Sequence, residues 1–282
     1  MKNTFQLSTL IENDLKSTSE NSIIKTGFTK FDENYGGFKL GEFVVFGGRI
    51  AMGKTQFLIN LALNVSKESP VLFLSFDLSK DLLAKRFISS LSKVSIDRIL
   101  YSKTTEKENK QIADVNHRSD EHQIFINDQV FESIQELKKY CEQQVAENKI
   151  KLIFLDCLQN LSDEKYRQLG QEFDYDYVTR ELRHVAKRLN ICVVLTTQLS
   201  KNVDYRGGWR KPLISDIIDG GNIELDADKI LLLYCPSYYG ILYDENEDNC
   251  ENTVEIHVVK NKNGKTGIVK MQYDDEFTNF IN

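Results

Sequence analysis

Gly48 and Gly53 bracket four residues and lead into Lys54 and Thr55, in the stretch GRIAMGKT. Glycines at that spacing let backbone N–H groups turn inward around phosphate oxygens, and the N-terminus of a following helix adds its positive end. In that pattern the lysine reaches the β- and γ-phosphates and the hydroxyl of Thr55 holds Mg²⁺. Arg49, Ala51, Met52 and Gln56 belong to the same stretch and are expected around the nucleotide. A magnesium site also needs a carboxylate at a strand end, and Asp156, closing KLIFLD, is the candidate. The chemistry expected is therefore ATP binding with Mg²⁺ shared between Thr55 and Asp156.

These residues need a scaffold that brings loop and carboxylate together. Short apolar runs read as buried strands: EFVVF (42–46), VLFLSF (71–76), QIFI (123–126), KLIFLD (151–156), ICVVLTT (191–197) and KILLLY (229–234). Helical stretches lie between most of them. One follows the glycine loop with Phe57, Leu58, Leu61, Ala62 and Val65 on one side, and others begin near Ser79, Glu132 and Phe173. Such alternation with nearly continuous apolar strands predicts an α/β fold, a mostly parallel central sheet with helices on both faces. NTVEIHVV and GIVKMQY flank the turn-rich KNKNGKT and predict a closing antiparallel hairpin. Residues 5–16 carry Phe5, Leu7, Leu10, Ile11 and Leu15 in a stripe that suits a short amphipathic helix, followed by the polar STSENS. Residues 1–21 are thus expected as a short helix and a polar linker, set apart from residues 22–282.

A chain of 282 residues with net charge −6 is not a basic nucleic-acid coat, although binding requires only a local basic surface. YRGGWRK supplies one candidate, with Tyr205, Arg206, Trp209, Arg210 and Lys211 in a glycine-containing loop. Cations interleaved with aromatics suit phosphate contacts and base stacking along a single strand, and a solvated loop with one Trp is the competing reading. The five cysteines are odd in number and scattered, which suggests reduced thiols in the cytoplasm. No apolar run reaches the ~18 residues of a membrane span, and the N-terminus lacks the pattern of a signal peptide; no membrane partner is expected.

The order of motifs resembles the C-terminal, RecA-like domain of the replicative helicase DnaB. TGFTKFDENYGGFKLGE (26–42), GGRIAMGKT, LDCLQNL (155–161), VAKRLNICVVLTTQLS (185–200), the segment from KPLISDI to DADKILLLY (211–234), VVKNKNG (258–264) and GIVKMQYDDEFTNF (267–280) carry the likeness. It covers about residues 22–282, without that family's separate N-terminal collar domain. The resemblance implies an ATP-dependent helicase or translocase acting on single-stranded DNA as a homo-oligomer, a hexameric ring, with a helicase loader or primase as further partners. It also implies roles for matched residues. Gln198 would sense the γ-phosphate, and Lys260 and Lys262 would reach across a subunit interface to a neighbour's nucleotide.

Three positions depart from the family's pattern. Asp77 stands where a glutamate is expected to polarise the attacking water. Its side chain is one methylene shorter, and misplacement by about 1 Å can cost on the order of 10²-fold in rate. Lys262 stands in the place of an arginine finger, keeping charge but losing the bidentate fork. Ile218 replaces an arginine beside the single-strand path, where backbone amides of Asp219, Gly220 and Gly221 would still meet phosphates. These departures support an alternative, a nucleotide-dependent ring or filament assembly or regulatory protein with weak ATPase and no unwinding. A RecA-like recombinase or clock-type ATPase is a third reading, which DADKILLLY and KNKNG fit less well.

Overall fold

The computed structural model describes residues 22–118, 121–161, 174–218, 221–244, 246–274 and 279–281. The helix expected over 5–16 and the linker to residue 21 lie outside them. The described chain opens with β1 (Ile23–Ile24), helix α1 (Thr29–Tyr35) and β2 (Phe38–Lys39), the two strands pairing antiparallel. The main sheet then takes β3 (Phe43–Gly48), β4 (Val71–Ser75), β5 (Ile124–Asn127), β6 (Leu152–Asp156), β7 (Cys192–Gln198) and β8 (Lys229–Tyr234), all parallel. Strands β9 (Thr253–Asn261), β10 (Gly267–Asp274) and β11 (Asn279–Ile281) close it antiparallel, in the order β11-β10-β9-β8-β3-β7-β6-β4-β5.

Successive side chains of a strand point to opposite faces, so each central strand supplies two cores. Val44 and Phe46 face one side with Phe73, Phe154 and Val194; there they meet Leu58, Leu61, Leu83 and Phe87 of helices α2 (Lys54–Val65) and α3 (Lys80–Ser92). Two further helices on the way to β5, α4 (Ile96–Leu100) and α5 (Glu106–Arg118), carry no strong apolar run and were not expected from sequence. Phe43 and Val45 face the other side with Leu72, Leu74, Ile153 and Leu195, against Leu137 of α6 (Ile134–Asn148) and Leu182 and Val185 of α7 (Tyr175–Leu189). A four-residue helix, α8 (Ile223–Asp226), precedes β8. Burial on both faces explains why the strands read as continuous apolar runs.

Polar residues set the ends. Ser79 caps α3 by accepting from the Leu82 N–H, Ser133 caps α6 through Glu136, and Asp174 caps α7 through Tyr177. Phe57, in the first turns of α2, stacks between Phe46 at 4.7 Å and Phe28 at 5.1 Å. Such ring pairs contribute about 0.5–1.5 kcal/mol each beyond burial, and here they pin the helix that carries the phosphate loop. The strand order reverses at β3, which has β7 on one side and β8 on the other. In open α/β sheets the crevice beyond the strand C-termini at that reversal is where ligands bind.

Candidate functional site

The loop Gly48–Thr55 lies at that crevice. Gly53 takes φ 95° at the N-cap of α2, a left-handed conformation that a side chain would strain. At Gly48, an added Cβ would come within 2.9 Å of the Lys54 side chain. The Lys54 ammonium bonds the carbonyls of Gly48 and Arg49, each at 3.1 Å, so it lies along the inside of the loop. Burial lowers its pKa, partly offset by Asp156. Beneath it, the Thr55 hydroxyl donates to Asp156 Oδ2 at 2.6 Å. The Thr196 hydroxyl donates to Oδ1 at 2.5 Å. Asp156 is 2% exposed, and that burial pushes its carboxyl pKa up against the two hydroxyls and Lys54.

Around these groups opens a cleft of about 390 Å³ lined by Ile50, Ala51, Gly53, Lys54, Thr55, Gln56, Asp77, Arg86, Asp156, Gln198 and Tyr273 among others. The structure thus gathers the loop, Asp77, Asp156 and Gln198, expected from separate stretches of sequence. Thr55 and Asp156 offer hard oxygen ligands side by side, a donor pair that suits Mg²⁺. Among the described residues no group of three or more His, Cys, Asp or Glu is placed to hold a metal. A cation here would draw its remaining ligands from phosphates and water, as Mg²⁺ does at nucleotide sites.

Three members of the loop stretch do other work. The Arg49 guanidinium turns away, bonding both oxygens of Asp204 (2.9 and 2.6 Å) and the Leu199 carbonyl at 2.8 Å. It ties the phosphate loop to the segment after β7. The Gln56 amide donates to Ser90 between α2 and α3, and Met52 is buried.

Asp77 is exposed to the cleft and accepts from Asn160 Nδ2 at 3.2 Å. Gln198 ends β7; its N–H donates to Gln159 Oε1 at 3.0 Å and its carbonyl accepts from Ile218 N–H at 3.0 Å. Sequence reading missed Arg86, Thr196, Gln159 and Asn160. Arg86 faces the cleft from α3, and its buried Nε has no hydrogen-bond partner among the described residues. Nothing in the helical pattern distinguishes it from Lys85. Thr196 was signalled only by strand parity, since it lies two residues before Gln198 on the same face of β7.

Lys260 and Lys262 lie toward the opposite end of the strands, at the C-terminal end of β9 and just past it. Lys260 pairs with Ile230 and Asn261 with Lys229, while Lys229 pairs with Val44, four residues before Gly48 on β3. At ~3.3 Å per residue that is about 13 Å from the phosphate loop along one strand. The Lys260 ammonium bonds the Glu224 carbonyl. Lys262 pairs with Asp228 at 3.0 Å, where Arg183 also approaches at 3.6 Å. The chain keeps these cations away from its own cleft.

In the loop after β7, Arg206 bonds Asp216 Oδ1 at 2.5 Å and the Lys211 carbonyl at 2.6 Å. Arg210 bonds the Tyr239 carbonyl and lies 5.5 Å over its ring. Both guanidinium groups expected on phosphates are held on the protein. Trp209 and Lys211 border a separate pocket with Tyr234, whose hydroxyl donates to the Trp209 carbonyl. Tyr205 is exposed. Asp219 and Gly220 lie outside the described residues. At Gly221 an added Cβ would fall on Asp176 Oδ1, because the Asp176 carboxylate accepts from both the N–H and the side-chain amide of Asn222.

Comparison with known proteins extends this geometry. The family model described as the DnaB-like helicase C terminal domain matches residues 23–282. A probable replicative DNA helicase of Trieres chinensis is 30% identical over 261 residues, 92% of this chain and 57% of that protein. The chain thus spans little more than half the length of the curated relatives it matches. A solved ATPase domain superposes with TM-score 0.83 at 26% identity, over 98% of this chain and 96% of the other. A solved DnaB-like replicative helicase, described with its interactions with primase, superposes with TM-score 0.80 at 25% identity over all of this chain and 67% of the other.

Proposed function

The chain belongs to the DnaB-like helicase C-terminal domain family, and on that premise we propose that it is an ATP-driven motor on single-stranded DNA. The observation that carries the reading is the pairing of Thr55 with Asp156 at 2.6 Å beneath Lys54, in a cleft that also presents Asp77 and Gln198. Residues 22–282 act as the RecA-like ATPase domain and 1–21 as a linker.

ATP lies in the cleft with its phosphates on the amides and ammonium of the Gly48–Thr55 loop. Mg²⁺, when bound at Thr55 and Asp156, neutralises charge on the β- and γ-phosphate oxygens. Asp77 accepts a hydrogen bond from the attacking water, orients it on the γ-phosphorus and takes its proton as the new P–O bond forms; the bond to the β–γ bridging oxygen breaks, giving ADP and inorganic phosphate. Arg86 supplies a guanidinium facing the same space. Lys260 and Lys262, toward the far end of the strands, serve the cleft of a neighbouring subunit, so that the motor works as a homo-oligomeric ring, a hexamer. Gln198 senses the γ-phosphate, and its backbone bond to Ile218 passes its position to the loop that meets DNA. There the backbone amides around Asp219, Gly220 and Gly221, with Trp209 and Lys211, follow the strand. The similarity to a helicase described with primase supports a primase or loader as partner. No helix among the described residues is long and apolar enough to cross a membrane, in keeping with a cytoplasmic site of action.

The test is ATP turnover with and without single-stranded DNA, with native mass measured in ATP. A ring whose turnover rises with DNA is expected. Tight ATP binding in a ring with no DNA-stimulated turnover would overturn the motor in favour of a nucleotide-dependent assembly protein.

A further inference from the structure

Two consecutive amide side chains on one short turn reach in opposite directions. After β6 ends at Asp156, the chain makes a 3-10 turn over Leu158–Asn160, anchored by the fully buried Leu158. Asn160 Nδ2 reaches toward β4, donating to Asp77 Oδ1 at 3.2 Å and to the Phe76 carbonyl at 3.4 Å. Gln159 reaches toward β7. Its Nε2 donates to Thr197 Oγ1 at 3.0 Å and to the Ile218 carbonyl at 3.1 Å, and its Oε1 accepts from the Gln198 N–H at 3.0 Å. Both amide hydrogens and one carbonyl lone pair of Gln159 are thereby engaged.

The groups that Gln159 holds form one unit. Ile218 N–H donates to the Gln198 carbonyl, Ser200 N–H to the Asp216 carbonyl at 2.7 Å, and Leu199 bridges Ile217. The segment 214–218 therefore moves with the end of β7, and Gln159 fixes both to the turn that carries Asn160.

Resting on the motor reading above, we infer that the turn Leu158–Asn160 couples the water-orienting carboxylate to the DNA loop. Asn160 is a positioning residue for Asp77. A carboxylate on so short a side chain has two rotatable bonds, and a donor on one oxygen selects the rotamer that aims the other at the cleft. Gln159 is the positioning residue for Gln198 and the 214–218 segment. A shift of that segment on DNA binding passes through the Gln159 amide to the turn, and through Asn160 to Asp77. The geometry gives this chain a second relay beside the backbone of Gln198.

The test uses the full chain and steady-state ATP turnover with and without an oligothymidylate. Asn160→Ala is expected to lower kcat about tenfold at unchanged KM, since it displaces a base without touching the phosphate loop. Gln159→Met keeps the length and loses the amide. It is expected to cut the DNA stimulation at least ~fivefold, a larger loss than any in turnover without DNA. Gln159→Glu keeps the acceptor for the Gln198 N–H but sets a carboxylate oxygen against the Ile218 carbonyl, so it should lose the stimulation as well, and it gives the same readout should Gln159→Met fail to fold. Parental stimulation in the Gln159 variants, or parental kcat in Asn160→Ala, overturns the inference while leaving the motor intact. So does a uniform fall in kcat, stimulation and melting temperature together, the signature of a turn that only holds the fold. A parent chain without DNA-stimulated turnover overturns the motor reading itself.

Discussion

Thr55 and Asp156 are 101 residues apart in sequence, and the hydroxyl of one donates to the carboxylate of the other at 2.6 Å. This contact joins the first turn of α2 to the end of β6 and defines the floor of the cleft. It also holds an acid where an acid is costly, because Asp156 is almost fully buried.

That cost has a sign. Burial raises the Asp156 pKa above the ordinary carboxylate value despite its two hydroxyl donors. The unfolded chain therefore loses this proton at lower pH than the folded chain, so the group destabilises the fold once pH rises through the unfolded value and beyond. Asp156→Asn should melt higher than the parent at neutral pH, by about 2 °C for each kcal/mol released. The gain should shrink as pH falls into the carboxylate range, and Mg²⁺-dependent nucleotide binding should be lost throughout. Calorimetric melting across pH checks the first two, and nucleotide titration the third.

Asp77 is shorter than the glutamate that the family resemblance leads one to expect, yet Asn160 meets it at 3.2 Å. The carboxylate is fitted to its own surroundings. Asp77→Glu should therefore reduce turnover, by about tenfold, because the longer side chain overshoots both Asn160 and the water. Steady-state ATPase at saturating ATP is the check. A rise in turnover would mean a site tuned for holding nucleotide rather than cycling it.

Lys260 and Lys262 lie toward the end of the strands away from the phosphate loop, with Lys262 on Asp228 at 3.0 Å. If they serve a neighbour, two inactive variants should complement. Lys54→Ala subunits offer an intact Lys262, and Lys262→Ala subunits an intact phosphate loop. Mixed rings should turn over ATP well above the sum of the two alone. Cation loss at such a site costs about 10³–10⁵ in systems that use an arginine, so each parent background should be low. No gain on mixing would place the lysines in a purely structural role.

Arg206 was a candidate for phosphate contact, but its bond to the buried Asp216 makes it a strut. Arg206→Ala leaves that carboxylate without its partner and should destabilise the fold by about 1–3 kcal/mol. Urea unfolding measures this. Any accompanying loss of DNA affinity should then come with little change in its salt dependence, whereas a lost phosphate contact lowers the salt slope by about 1.

Much of this architecture is legible in the residues. The six parallel strands, the helices after the glycine loop and near Ser79, Glu132 and Phe173, and the closing hairpin all stand where apolar runs and turn residues put them. These signals are local. Helices α4 and α5 were not legible because α4 is only five residues long and α5 carries few apolar residues among mostly exposed polar ones. In the site, Lys54, Thr55 and Asp156 could be read because each belongs to a spaced motif. Arg49, Gln56 and Arg210 point instead to partners distant in sequence, Asp204, Ser90 and Tyr239, and Arg206 turns back on Asp216 in its own loop; no local pattern announces where a long side chain turns. Gln159 and Asn160 escaped notice for the same reason. Their meaning depends on β4 and β7 flanking β6, a fact of topology.

The most direct measurement is calorimetric titration of ATP, with and without Mg²⁺, into the parent chain and into Lys54→Ala. The parent should bind ATP more tightly with Mg²⁺ than without it, and Lys54→Ala should lose about 100-fold, roughly 2.7 kcal/mol. Equal affinity in the two proteins, or binding indifferent to Mg²⁺, would contradict a triphosphate held between the Gly48–Thr55 loop and Asp156.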